Sequence, residues 1–204
     1  MKLRGLYAIT PELAGRETLI RSVAQALDGG IAMLQYRRKG RQHVDEVRIL
    51  ARMCRDRRVP FVVNDDVVLA LECGADGVHL GRDDGELGGA RAMLDGKLLG
   101  ASCYDSLGAA RAAVAAGADY VAFGSVFPSP TKPAAVRAPL ALFAEARSLG
   151  VPLVAIGGIT LQNAPQLLAA GADGLAVISD LFEAPDIAGK ARAYGKLFSH
   201  DLTQ

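Results

Sequence analysis

Two pairs of adjacent carboxylates, Asp65-Asp66 and Asp83-Asp84, stand where two consecutive apolar runs finish in the stretch FVVNDDVVLALECGADGVHLGRDD. Like charges in proximity repel. The pairs are therefore either solvated loop carboxylates or a site that needs negative charge to hold a cation. Asp65 and Asp84, on the loops after adjacent strands, can share one hard cation such as Mg²⁺, which keeps several waters and grips substrate phosphate oxygens. Asp66 and Asp83 suit helix N-caps or more exposed positions.

Groups that bind anions follow other apolar runs. Gln35, Arg37 and Lys39 alternate in QYRRK, so on a continuing strand they share one face and suit a diphosphate. A solvated basic loop extended by Arg38 and Arg41 is the competing reading. The segment GSVFPSPTK (124–132) carries two prolines, Ser125, Ser129, Thr131 and Lys132. Such a loop presents hydroxyls and an ammonium to a phosphate with little ordering entropy; a capped turn competes. In IGGIT (156–160) and AVIS (176–179), glycine and a helix start let backbone N–H groups approach a second, separate phosphate. Asn64 and Ser102 close two further apolar runs.

The elements that must position these groups are short and regular. CGADGVHLG, AGADYVAFG and AGADGLAVIS, starting at Cys73, Ala116 and Ala170, are one unit used three times: a small-residue helix end, a turn at Gly-Ala-Asp, and a buried strand. Strand-like runs at 5–10, 32–37, 60–64, 98–102 and 152–157 bring the number to eight. Between them, Thr18 to Leu27, Val44 to Arg57, Ser106 to Ala116 and Leu140 to Leu149 have helical period. Strands apolar throughout indicate a parallel sheet covered by helices. Eight βα repeats predict a closed (β/α)8 TIM barrel, one domain over residues 1–204, with its polar face at the C-terminal strand ends. The seventh and eighth strand ends are the usual phosphate corner of such a barrel. No GxGxxG or GxxxxGK[ST] stretch supports a dinucleotide or P-loop reading.

Lys plus Arg total 23 against 22 Asp plus Glu, a formal charge of +1, so no global field recruits nucleic acid or an anionic membrane. Cys54, Cys73 and Cys103 form neither a CxxC pair nor a histidine cluster and read as buried free thiols in a reducing cytoplasm. The uncharged run from Val151 to Ala172 is interrupted by prolines, glycines and amides and is not a membrane span. No G-x-S-x-G stretch supports a hydrolase triad. His79, inside a strand, reads as a hydrogen-bonded packing residue.

LYAIT, QYRRK, NDD, GADGVHLG, GASCYD, GADYVAFGSVFPSPTK, IGGIT and GADGLAVIS, in that order from about Leu6 to Ser179, resemble the thiamine-phosphate synthase family. The resemblance implies an alkyl transferase of thiamine biosynthesis. It would join 4-amino-5-hydroxymethyl-2-methylpyrimidine diphosphate to 4-methyl-5-(2-hydroxyethyl)thiazole phosphate, giving thiamine phosphate and diphosphate. It implies that Gln35, Arg37, Lys39 and Asn64 hold the pyrimidine diphosphate and that Asp65 and Asp84 bind Mg²⁺. Ser102 and Lys132 would contact the pyrimidine or its diphosphate, so that Arg37, Lys39, Ser102 and Lys132 serve catalysis. Ser129, Thr131 and the backbone of Gly158, Ile178 and Ser179 would take the thiazole phosphate. The expected partners are these small molecules; a homodimer is an assembly the sequence leaves open.

Three residues depart from the family's common pattern: Arg82 in place of Gln, Ser129 in place of Thr, and Tyr104 in place of His. A thiazole tautomerase of the same superfamily uses a His at that last position, and Tyr104 shuttles protons less readily near neutral pH. A non-catalytic phosphate sensor is the reading from another class; it would not need the metal pair.

Overall fold

The computed structural model describes residues 3–12, 15–38, 40, 43–82, 84–128 and 137–199. Eight parallel strands close into a barrel in sequence order: β1 (Gly5–Ile9), β2 (Met33–Tyr36), β3 (Phe61–Asn64), β4 (Gly77–Leu80), β5 (Leu98–Tyr104), β6 (Tyr120–Phe123), β7 (Leu153–Ile156) and β8 (Gly174–Val177). A helix follows each: α1 (Arg16–Asp28), α2 (Val44–Asp56), α3 (Val67–Glu72), α4 (Leu87–Met93), α5 (Leu107–Ala115), α6 (Ala141–Ala146), α7 (Ala164–Ala170) and α8 (Ser179–Phe182). The expected TIM barrel is the fold observed. Among the described residues, no helix is long and apolar enough to cross a membrane.

Alternation along the strands sorts side chains into two layers. Leu6, Ala8, Leu34, Val63, Val78, Val121, Ala155 and Leu175 face the helices in one large apolar cluster. Tyr7, Ile9, Met33, Val62, Tyr120, Ala122, Val154 and Ala176 fill the barrel interior in a second. Because both faces of each strand are covered, most strand positions are apolar rather than alternating, with Gln35, His79 and Ser102 among the polar exceptions.

The repeated Gly-Ala-Asp has one physical role in all three places. Gly74, Gly117 and Gly171 take left-handed φ values of 68°, 92° and 106° just past α3, α5 and α7. The next residue's N–H then reaches back to the helix, Ala75 to Ala70 O, Ala118 to Ala113 O and Ala172 to Leu167 O, at 2.9–3.0 Å. The aspartate joins strand starts. Asp76 Oδ2 accepts from Phe61 N, Asp119 Oδ2 from Leu99 N and Asp173 Oδ2 from Leu153 N, each at 2.8–2.9 Å. Each motif thus ties an even strand to the odd strand before it, at the end of the barrel away from the loops that could do chemistry. Ala32 stands at the equivalent place before β2, keeps the backbone bond to Leu6 O at 2.7 Å and lacks the carboxylate.

The C-terminal segment packs as a further helix, α9 (Ile187–Leu197), beside α1 and β1. Ala191 and Tyr194 are buried, and the Tyr194 hydroxyl donates to Asp180 Oδ2 at 2.7 Å.

Candidate active site

Gln35 and Arg37 do lie on one face, because their neighbours are held on the other. Tyr36 OH and Arg38 Nη1 both donate to Glu46 Oε2 of α2, at 3.0 and 2.7 Å, with Glu46 buried. Arg38 is therefore fixed outside the barrel. Gln35 points inward, where its Nε2 donates to Tyr7 OH at 2.7 Å. Arg37 is clipped to the end of β1: its N–H donates to Thr10 Oγ1 at 2.8 Å, and that hydroxyl donates to Arg37 O at 3.1 Å. Its guanidinium lies 3.8 Å from Glu12 Oε1, a loose and solvated pairing.

The ends of β3 and β4 bring the two carboxylates together. Asn64 pairs in register with His79, and Asp65 N donates to His79 O at 2.9 Å. Asp65 itself turns left-handed, φ 67°, a conformation aspartate tolerates. Asp66 then caps α3, its Oδ1 accepting from Leu69 N at 2.8 Å, which is the role its position suggested. From the next loop Asp84 Oδ2 accepts from Gly81 N at 2.7 Å. A Cβ at position 81 would lie 2.6 Å from Asp84 Oδ2, so a larger residue there would displace this carboxylate.

So placed, the Asp65 and Asp84 carboxyls are close enough to interact. Burial and, after it, the neighbouring Asp84 carboxyl push the Asp65 carboxyl up to about 7, against the opposing charge of Arg37. Two carboxyls held this close mark a place where a cation would be welcome. Among the described residues no group of three or more His, Cys, Asp or Glu could hold a metal. Two carboxylate oxygens without thiolate or open imidazole fit a hard ion that retains water and substrate oxygens, as Mg²⁺ does.

The two departures near this loop touch each other. The Arg82 guanidinium lies 4.6 Å from the centroid of the Tyr104 ring, and Arg82 N is 3.5 Å from the Tyr104 hydroxyl. Tyr104 ends β5 in a left-handed turn, φ 54°, after a register shift at Ser102.

Ser102, also on β5, meets His79: Nε2 and Oγ are 2.8 Å apart. His79 is buried, its ring stacked on Tyr120 and its Nδ1 3.1 Å from Tyr120 OH. Burial lowers the His79 pKa to about 4, so the ring is neutral. It is the hydrogen-bonded packing residue the sequence suggested. Tyr7 and Tyr120, 2.8 Å apart at their hydroxyls, complete an interior polar group that sequence reasoning missed. The signal available was a tyrosine in the middle of a buried strand, whose hydroxyl must find a partner.

At the seventh strand end, Gly157 and Gly158 have φ 105° and 64°. The backbone of 125–128 crosses directly over them, with Val126 N bonded to Ile156 O and Phe127 N to Gly157 O, both at 3.0 Å. A Cβ at 157 would meet Ser125, and one at 158 would meet Phe127 and Pro128. Close packing alone therefore requires both glycines. Asn163 braces this turn, accepting from Thr160 N and donating to Gly158 O. Ile178 and Ser179 open α8 at the neighbouring strand end. Lys39, Ser129, Thr131 and Lys132, together with Asp83, lie outside the described residues.

A family model described as thiamine monophosphate synthase matches residues 6–181. The chain belongs to the thiamine-phosphate synthase family. It is 56% identical over 202 residues to the thiamine-phosphate synthase of Aromatoleum aromaticum, covering 97% of each chain, and 54% identical over 203 residues to that of Azoarcus sp. strain BH72. Among solved structures it resembles the thiamine phosphate pyrophosphorylase of Pyrococcus furiosus, with a TM-score of 0.86, 35% identity and 98% of each chain covered. In this family member, the cluster of Gln35, Arg37, Asn64, Asp65, Asp84 and Ser102 occupies the C-terminal ends of β2 to β5, the face on which barrel enzymes carry their chemistry.

Proposed function

We propose that this site condenses 4-amino-5-hydroxymethyl-2-methylpyrimidine diphosphate with 4-methyl-5-(2-hydroxyethyl)thiazole phosphate, forming thiamine phosphate and releasing diphosphate. The observation that carries the reading is the Asp65–Asp84 carboxyl pair beside Arg37, in a chain of this family. A sensor of phosphate ligands has no need to hold two carboxylates against their repulsion.

In the reaction the C–O bond to diphosphate breaks, its electron pair leaves with the diphosphate, and the thiazole nitrogen forms a C–N bond to the methylene. Asp65 and Asp84 would hold Mg²⁺, which when bound would supply charge neutralisation for the leaving oxygens. Arg37, Lys39 and Lys132 bind the same oxygens and stabilise the charge that grows on them. Gln35, Asn64 and Ser102 hold and orient the pyrimidine end. Its amino group delocalises the positive charge left on the methylene, so no enzyme nucleophile is required. Ser129, Thr131 and the backbone of Gly158, Ile178 and Ser179 hold the thiazole phosphate, which keeps the attacking nitrogen near its target. The three buried free thiols suit a reducing cytoplasm.

The test is condensation by the purified chain with both substrates and Mg²⁺, reading thiamine phosphate after oxidation to its fluorescent product. Product that disappears with EDTA and returns with excess Mg²⁺ is expected. Folded protein that forms no product would overturn the reading.

A further inference from the structure

Five strands contribute one side chain each to an unbroken hydrogen-bond chain across the barrel. Gln35 Nε2 reaches Tyr7 OH at 2.7 Å, Tyr7 OH reaches Tyr120 OH at 2.8 Å, Tyr120 OH reaches His79 Nδ1 at 3.1 Å, and His79 Nε2 reaches Ser102 Oγ at 2.8 Å. Gln35, Tyr7, Tyr120 and His79 are all buried. Space for the middle of the chain is made by Gly100, where a Cβ would lie 2.6 Å from His79 Nδ1 and overlap the Tyr120 ring.

The amide end sets the direction of every bond. An amide nitrogen only donates, so the Tyr7 oxygen accepts from Gln35 and its one proton goes to Tyr120. Tyr120 in turn gives its proton to His79 Nδ1. A neutral imidazole that accepts at one nitrogen donates at the other, so Nε2 carries the proton and gives it to Ser102 Oγ. The serine's own proton is left over.

We propose that His79 is a positioning residue, held by this chain as the Nε2–H tautomer, which turns the Ser102 hydroxyl proton outward as a donor to an acceptor atom of the substrate. The two ends are thereby linked. With its nitrogen committed to Tyr7, Gln35 has its carbonyl oxygen to offer as an acceptor, while Ser102 at the far end must be a donor. That pairing fits an aminopyrimidine diphosphate, which carries an exocyclic amine together with acceptor ring nitrogens and phosphate oxygens. The assignment of substrate rests on the function proposed above; the tautomer does not.

Reversing the amide end should reverse the whole chain. In Gln35→Glu, held above the pKa of about 8–9 that buried glutamates reach so that the side chain is ionised, a carboxylate can only accept. Tyr7 would then donate to it, Tyr120 to Tyr7, and His79 would donate from Nδ1 and accept the serine proton at Nε2. The experiment is two-bond ¹⁵N–¹H correlation on histidine-labelled protein, with the His79 signals assigned by their loss in His79→Gln. The expected result is Nε2–H in the wild-type chain and Nδ1–H in Gln35→Glu. Wild-type protein in the Nδ1–H form, or a variant that keeps Nε2–H, would overturn the proposal.

A second comparison does not depend on the Gln35 variant folding. His79→Gln keeps an N–H donor for Ser102 and His79→Leu has none. Condensation kcat should fall roughly 10- to 100-fold more in the leucine variant, the range expected for a lost buried hydrogen bond, with the KM for thiazole phosphate unchanged in both. Equal kcat in the two variants would overturn the positioning role. An Nε2–H tautomer in a chain that makes no thiamine phosphate would instead leave this inference standing and remove the proposed function.

Discussion

The Asp65 carboxyl, buried beside that of Asp84 beyond the ends of β3 and β4, is held well above the usual carboxylate range, up to about 7. Asp65, raised to about 7, binds more proton in the folded chain than in the unfolded one between about pH 4 and that value. Its stabilising contribution is complete below about pH 4 and is lost as pH rises through about 7. Removing the charge should therefore help most at high pH. In metal-free melts, the Tm advantage of Asp65→Asn over wild type should grow from about pH 5 to pH 8, and Mg²⁺ should raise Tm in wild type above pH 7 but not in the variant. A constant offset at all pH values would sink this account.

Asp84→Ala should lower condensation by at least about 10²-fold, the scale of losing one charge-stabilising group at a reacting centre, while circular dichroism is that of wild type and Tm does not fall. Lys132→Ala should do the same. Wild-type turnover by either would remove that residue from the machinery.

Gly100→Ala drives a methyl group into Tyr120 and His79. Overpacking of this kind costs about 1–3 kcal/mol, and here it also displaces the interior polar chain. Denaturant midpoints and kcat should fall together, and unchanged activity would mean that the two rings move aside freely.

Asp119→Ala removes the acceptor of Leu99 N and of Arg91 Nη1 at the opposite end of the barrel. Stability should drop by about 1–3 kcal/mol for the stranded backbone donor, with KM for both substrates unaltered. A KM effect without a stability effect would contradict the structural role assigned to the Gly-Ala-Asp repeat.

Tyr104→Ala releases Arg82 from its ring contact, whereas Tyr104→Phe retains the ring. An exposed cation–π contact contributes about 0.5–1 kcal/mol, so alanine should shift the apparent KM for pyrimidine diphosphate or Mg²⁺ a few-fold and phenylalanine should not. Steady-state titrations of both variants decide this, and equal behaviour would mean that the pair is idle.

The sequence by itself determined the eight strands, because a strand buried on both faces must be a short run of apolar residues, and it determined the aspartates and cations at their ends, because polar groups there have no place in the core. It also determined that Gly-Ala-Asp is one repeated unit and that Asp66 is suited to cap a helix. What it could not decide was which groups meet. Asp65 and Asp84 are brought into contact by the β3–β4 register and a left-handed turn, and Arg38 is drawn away from the cations beside it by a buried glutamate on α2. The Gln35–Tyr7–Tyr120–His79–Ser102 chain joins residues up to 113 positions apart in sequence. Closure of the barrel alone makes them neighbours: local pattern reports the face a side chain occupies, and only the closed sheet brings the inward faces of non-adjacent strands within hydrogen-bonding distance.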